Sequence, residues 1–406
     1  MTLVFDRTAE LAGQPQTHAF LVGVSEYTSL PGMDQPSDPT SFGLRRLASP
    51  ALSAWEVCRW LATHADLLFR PLGSIRLVMS PSAEEVAKLT PIDIPPNIQP
   101  AVPAGTQITA AAIEPADWGH FVKEALAWRQ AAAPRRDGAG FFYYSGHGLE
   151  RAGRPLITLA DFTDPLAGGK LQRSCEVIAN FVLGMAPSAG FPEIARDQFY
   201  FIDACRELVL DPVGLGAQPG TVWDVLPLSD DRATPIFMAA YPGLRALTIR
   251  GKPTDFCNGL LEAFDKGSEN FDAQDLQLRW PVDSVSLSTA LGNYFERLKT
   301  GQYTPTTGST FKRPRLCWLP GPPSVDFRVV VNPEAAVGVT NILLTNCNTG
   351  DERKIAASTA DHPYEVKSMP AGIVELSAKC NGTFPNRTLF QLVNQQLPVW
   401  PVVMGP

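Results

Sequence analysis

Two short aromatic runs, each halting at a residue capable of covalent chemistry, constrain this chain more than any other feature. Residues 141–146 read FFYYSG and lead into His147 and Gly148; residues 199–204 read FYFIDA and lead into Cys205. Short aromatic and β-branched runs bounded by turn formers predict buried strands. A polar residue directly after such a strand sits at its carboxyl end, where ligands gather in parallel α/β sheets. An imidazole and a thiol can meet there although they are 205 minus 147, or 58, positions apart.

The remaining sequence supplies a scaffold for such a pair. Apolar runs at 17–24, 74–79, 140–145, 198–203 and 235–240 predict buried strands, and 315–319 a short last one. Helical spacing predicts helices within 43–65, with Pro50 at the start of the main one, and over 117–133, 175–185, 255–264 and 287–300. Strands alternating with helices imply a mostly parallel sheet covered on both faces, an α/β domain spanning 1–320. Residues 80–115 hold seven prolines and predict an extended surface insertion, while 206–234 reads as a long exposed loop. Beyond Gly321-Pro322-Pro323, strand-like runs at 325–331, 340–345, 364–367 and 373–379 have no competing helical window. They predict a β-sandwich accessory domain over 325–406 that binds, docks or regulates.

Composition excludes several functions. A net charge of -7 with no basic cluster offers no positive field for nucleic acid or an anionic membrane surface. The first residues lack the pattern of a secretory signal, and no apolar run reaches the ~20 residues that span a bilayer, so a cytoplasmic protein is expected. Seven cysteines with no CxxC pair suggest neither a disulfide framework nor a zinc site. No GxGxxG or GxxxxGK[ST] follows the first strand, which counts against a nucleotide-binding fold.

A cysteine nucleophile needs a base and N–H donors for the oxyanion. His147 and Cys205 provide the first two, and the amides of Gly148 and Cys205 are the candidate oxyanion donors. Gly146 and Gly148 leave the backbone bare for a peptide carbonyl. YYSGHG and DACRE resemble the caspase, metacaspase and paracaspase superfamily of cysteine endopeptidases, as do LVGVSEY, LRRLASPALSAWEVCRWL and AAYPGLRA. In caspases the histidine lies roughly 50 residues upstream of the cysteine, a spacing close to the one found here. The resemblance covers about residues 16–320 and implies a six-stranded caspase-like sandwich, a His147–Cys205 dyad, a protein or peptide substrate and no cofactor or metal.

Asp203 stands where apoptotic caspases carry glutamine. The matching metacaspase aspartate implies a substrate-binding role and cleavage after Arg or Lys, with cleavage after Asp as the alternative specificity. The alternative role for Asp203 is a buried acid that caps the loop. Glu207 replaces the usual glycine. By position, 206–234 matches the segment many caspases cut on maturation, and for a basic specificity Arg232 is the candidate self-cleavage site. Family analogy also suggests a regulated bacterial protease in stress or antiviral defence, with a partner or signal acting through the C-terminal domain. The competing reading is a catalytically silent adaptor on the same fold.

Overall fold

In the computed structural model, the apolar runs form the strands their composition favours. It describes residues 1–36, 41–98, 107–164, 171, 173–208, 219–223, 228–241, 249–268, 271–275, 277–298, 312–356, 364–382, 384–394, 397 and 399–405. Six strands make the main sheet: β1 (Leu3–Asp6), β2 (Thr17–Val24), β3 (Leu72–Ser80), β4 (Ala139–Gly146), β5 (Asp197–Ala204) and β6 (Ile236–Met238), in the order β1-β3-β2-β4-β5-β6. Every pairing is parallel except β1 with β3. All eight residues of β2 and of β4 are buried, as expected for a sheet covered on both faces.

Helices α1 (Pro50–Thr63), α2 (Trp118–Ala132), α3 (Asp255–Lys266) and α4 (Ser284–Leu298) belong to the same alternation. Pro50 opens α1 at a position where its missing N–H costs nothing, and the Asp117 carboxylate caps α2 by accepting the His120 amide at 2.9 Å. Opposite faces of β2 receive the two helices. A Cβ on Gly23 would lie 2.8 Å from Ala51 of α1, whereas Phe20, of opposite parity, packs its ring 6.2 Å from Trp128 of α2. Around Trp128 the rings of Phe142, Phe181 and Tyr200 complete an aromatic core, each ring worth about 2–3 kcal/mol by burial.

Several expectations need correction. The strand at Arg315–Trp318 belongs to a separate two-stranded sheet, and the sixth place in the main sheet goes to Leu3–Asp6, whose four residues are too few to show a period. Residues 175–185 form a strand at Ser174–Glu176 and a π-helical turn at Val177–Val182. The proline-rich stretch is not confined to the surface: Ile92 and Glu85 are fully buried, and the Glu85 carboxylate accepts bonds from Ser25, Leu52 and Ser82. Parts of 206–234 are also interior. Val222 and Trp223 are buried, and the Trp223 indole donates to the Phe181 carbonyl at 3.1 Å.

The chain divides into two compact units, 1–262 with 283–317, and 263–282 with 318–406. Residues 263–282 therefore group with the C-terminal portion. There, Ser324–Asn332 lies between Tyr364–Pro370 and a parallel Val399–Val403, and a second sheet runs Glu352–Ile355, Thr340–Asn346, Gly372–Cys380, Arg387–Val393. Alternate residues along Ser324–Asn332 are buried, so one face is apolar. The three strands that the apolar pattern does not predict are edges, two of which, Glu352–Ile355 and Arg387–Val393, carry the charges and polar residues that edge strands use against aggregation. Among the described residues no helix is long and apolar enough to cross a membrane.

Candidate active site

Strands β4 and β5 run in parallel with Asp203 opposite Ser145 and Ala204 opposite Gly146. Past the sheet the same two chain segments pair again, Glu207 with Leu149 and Leu208 with Glu150. The offset, 204 minus 146 and 207 minus 149, is 58 in both places. His147 and Cys205 share it and lie between the two paired stretches, in the gaps between strands that themselves run roughly 4.8 Å apart. The placement of the two positions opposite one another is thus a consequence of register.

Two features hold this gap. The Arg206 guanidinium donates to both oxygens of Glu150, at 2.9 and 3.1 Å, and Glu150 is 3% exposed. Such a fork-to-fork pair fixes geometry as well as charge. In addition, a Cβ on residue 148 would fall 2.2 Å from the Cys205 carbonyl oxygen and 2.8 Å from the Ala204 Cβ. Gly148 is therefore required for the two strands to approach, a reason beyond access for a substrate carbonyl.

His147 is buried, Cys205 partly exposed. The imidazole Nε2 lies 2.5 Å from the backbone carbonyl oxygen of Arg45. A carbonyl can only accept, so Nε2 carries a proton, and the neutral tautomer compatible with this bond has its lone pair on Nδ1.

Asp203 is 3% exposed. Its Oδ2 accepts from the hydroxyls of Thr254 at 2.5 Å, Tyr143 at 2.7 Å and Ser145 at 3.0 Å, while the buried Oδ1 has no hydrogen-bond partner among the described residues. Burial pushes its pKa up to about 6, against the pull of the three hydroxyls. The residue thus carries a half-satisfied carboxylate two positions before the cysteine.

Arg232 does not sit as a presented cleavage site. Its side chain is 2% exposed, forked onto Asp230 and donating to the Val182 carbonyl at 2.9 Å and the Gln198 side chain at 2.8 Å. Cutting after it would first require stripping these bonds. Asp230 is held by Arg232 and Asp231 by Arg196, whereas Asp211 and Asp224 lie outside the described residues. So does most of the AAYPGLRA segment after β6.

The other histidines have structural surroundings: His18 bonds Ser74 at 2.9 Å, His64 stacks on Trp60, His120 bonds Asp117, and His362 falls outside the described residues. A cleft of about 490 Å³, lined by His18, Ser74, Arg76 and Gly138, lies at the amino ends of the strands. It is at the opposite ends of the strands from Cys205.

Sequence reasoning missed Glu150, Tyr27, Thr158 and the Arg45 carbonyl. The acid three residues after His147 and the base one after Cys205 form a signal that spacing could have supplied. Arg45 acts through its backbone, which leaves no trace in residue type.

No protein-family model matches the chain, and no curated protein matches it. Among solved structures, protein GSU0716 from Geobacter sulfurreducens, a structural-genomics target, is similar over 74% of this chain and 96% of its own, with a TM-score of 0.40 and 11% identity.

Proposed function

We propose that this chain is a caspase-like cysteine endopeptidase acting on protein or peptide substrates through His147 and Cys205. The observation that supports the reading is the constant register, which sets positions 147 and 205 opposite one another at the carboxyl edge of a parallel sheet. The His147 Nδ1 takes the thiol proton as Cys205 Sγ attacks the scissile carbonyl carbon. The amides of Gly148 and Cys205 receive the oxyanion. The imidazolium, its far nitrogen bonded to the Arg45 carbonyl, returns its proton to the leaving amine, and the acyl-enzyme remains. Water, deprotonated by Nδ1, then releases the acid and regenerates the thiol.

Asp203 fits selection of a basic P1 side chain, since a buried carboxylate with one unsatisfied oxygen favours a cationic partner. A cytoplasmic role in bacterial stress or antiviral defence, governed through the C-terminal unit, extends this reading by analogy.

A fluorogenic peptide library scanned at P1, with and without calcium, tests it. Turnover after Arg or Lys, abolished in Cys205→Ala and His147→Ala, is the expected result. A folded wild type that cleaves nothing and is not alkylated at Cys205 by peptidyl acyloxymethyl ketones would sink it in favour of a silent binding platform.

A further inference from the structure

We propose that Tyr27, together with Thr158 and Tyr144, is a positioning device that clamps the main chain of His147 and so sets the reach of its imidazole toward Cys205. The inference rests on the peptidase reading. His147 lies where the main-sheet ladder ends, so ladder bonds alone do not fix its peptide groups. Side chains do so instead. The Tyr27 oxygen, fully buried, accepts the His147 N–H at 2.8 Å, and its ring lies 5.1 Å from the imidazole. On the other side, the His147 carbonyl accepts from the Thr158 hydroxyl at 3.1 Å and the Thr158 N–H at 3.2 Å, and shares the Tyr144 hydroxyl, 2.8 Å away, with the Thr158 carbonyl, which lies 2.7 Å from it.

A further bond of 3.2 Å joins the Tyr27 and Thr158 hydroxyls. Because the Thr158 hydroxyl has one proton and two acceptors in reach, the assignment that keeps both of its contacts is a closed ring. His147 N–H donates to Tyr27, Tyr27 O–H donates to Thr158, and Thr158 O–H donates to the His147 carbonyl. Chains of buried hydrogen bonds polarise and strengthen one another. The Arg45 carbonyl on Nε2 adds a third point, which leaves the imidazole little freedom to pivot.

Glycine at 146 belongs to the same device. A Cβ there would sit 2.5 Å from the Tyr144 hydroxyl and 3.0 Å from that of Tyr27. The SGHG pattern therefore admits two tyrosine hydroxyls beneath the histidine as well as opening the backbone.

Tyr27→Phe keeps the ring and removes the hydroxyl. Two readouts apply: steady-state peptide cleavage, and the pH profile of iodoacetamide alkylation at Cys205, followed on its peptide by mass spectrometry. In Tyr27→Phe, kcat falls about 10–100-fold, the cost of a misplaced catalytic group, while KM stays within about twofold. The alkylation rate on the acid side of the profile falls with it. Thr158→Val reproduces both effects and Thr158→Ser restores them, which loss of packing alone does not explain.

If Tyr27→Phe fails to fold, the Thr158 pair decides. A Tyr27→Phe or Thr158→Val enzyme with unchanged kcat and alkylation profile, in a wild type whose profile depends on His147, overturns the clamp. Wild-type alkylation indifferent to His147→Ala overturns the dyad itself, and the clamp with it.

Discussion

Replacing Asp203 by Asn separates what this carboxylate does for the fold from what it does for a substrate. Folded Asp203 keeps its proton until about pH 6, whereas an ordinary aspartate releases it at 3.8. Between those values the folded chain binds more protons than the unfolded one, so stability is lost as pH rises through the window and stays lost above it. A rise of that size corresponds to about 3 kcal/mol. Asn can present its carbonyl to the Thr254, Tyr143 and Ser145 hydroxyls and its amide where Oδ1 now has no partner. Below about pH 4, where Asp203 is neutral, the variant and the wild type have similar stability. At pH 8, where only the wild type carries the cost of a buried charge, the variant is more stable by up to about 3 kcal/mol. A melting-temperature series from pH 4 to 8 should show the two curves separating by several degrees toward high pH. The same variant should lose cleavage after Arg or Lys, and the wild-type KM for such peptides should climb as pH falls below about 6. A variant less stable than the wild type at pH 8, or equally active on basic peptides, would refute the assignment of an unsatisfied charge retained for recognition.

The remaining predictions concern other residues. His18, whose burial and neighbouring Arg76 lower its pKa to about 4, binds fewer protons folded than unfolded, so stability falls as pH drops from 6.5 through 4. This opposes the Asp203 slope over much of the same range, and His18→Gln should leave a chain whose stability increases on acidification, as read by denaturant midpoints. Glu150→Gln should cost about 3 kcal/mol by leaving Arg206 unneutralised in a partly buried site, and should speed amide exchange at 205–208. Gly184→Ala puts a Cβ 1.5 Å from Trp223 and must unseat that ring, visible as a red-shifted fluorescence component and new proteolysis within 219–223. Limited trypsin treatment of the native protein should leave the bond after Arg232 intact, because its guanidinium is buried; rapid cutting there would contradict its environment.

Local pattern was enough for the strands that end at His147 and Cys205, for helices α1 to α4 and for an α/β order, because uninterrupted apolar runs and helical spacing express how much of a segment must leave water. It was not enough for Leu3–Asp6, where four residues carry no period, or for the polar edge strands of the C-terminal unit. It also misplaced Arg232 and Trp223: a Pro- and Gly-rich stretch reads as loop, yet a loop can drive one indole and one guanidinium into the body when partners elsewhere in the chain satisfy them. The candidate site shows the same division. Residue types named the imidazole and the thiol. Only the fold brought the Arg45 carbonyl, 102 positions away, onto Nε2 and the Tyr27 hydroxyl, 120 positions away, onto the His147 amide. Those bonds depend on where backbone groups point in space, a property set by packing and register and not by the identity of any residue along the chain.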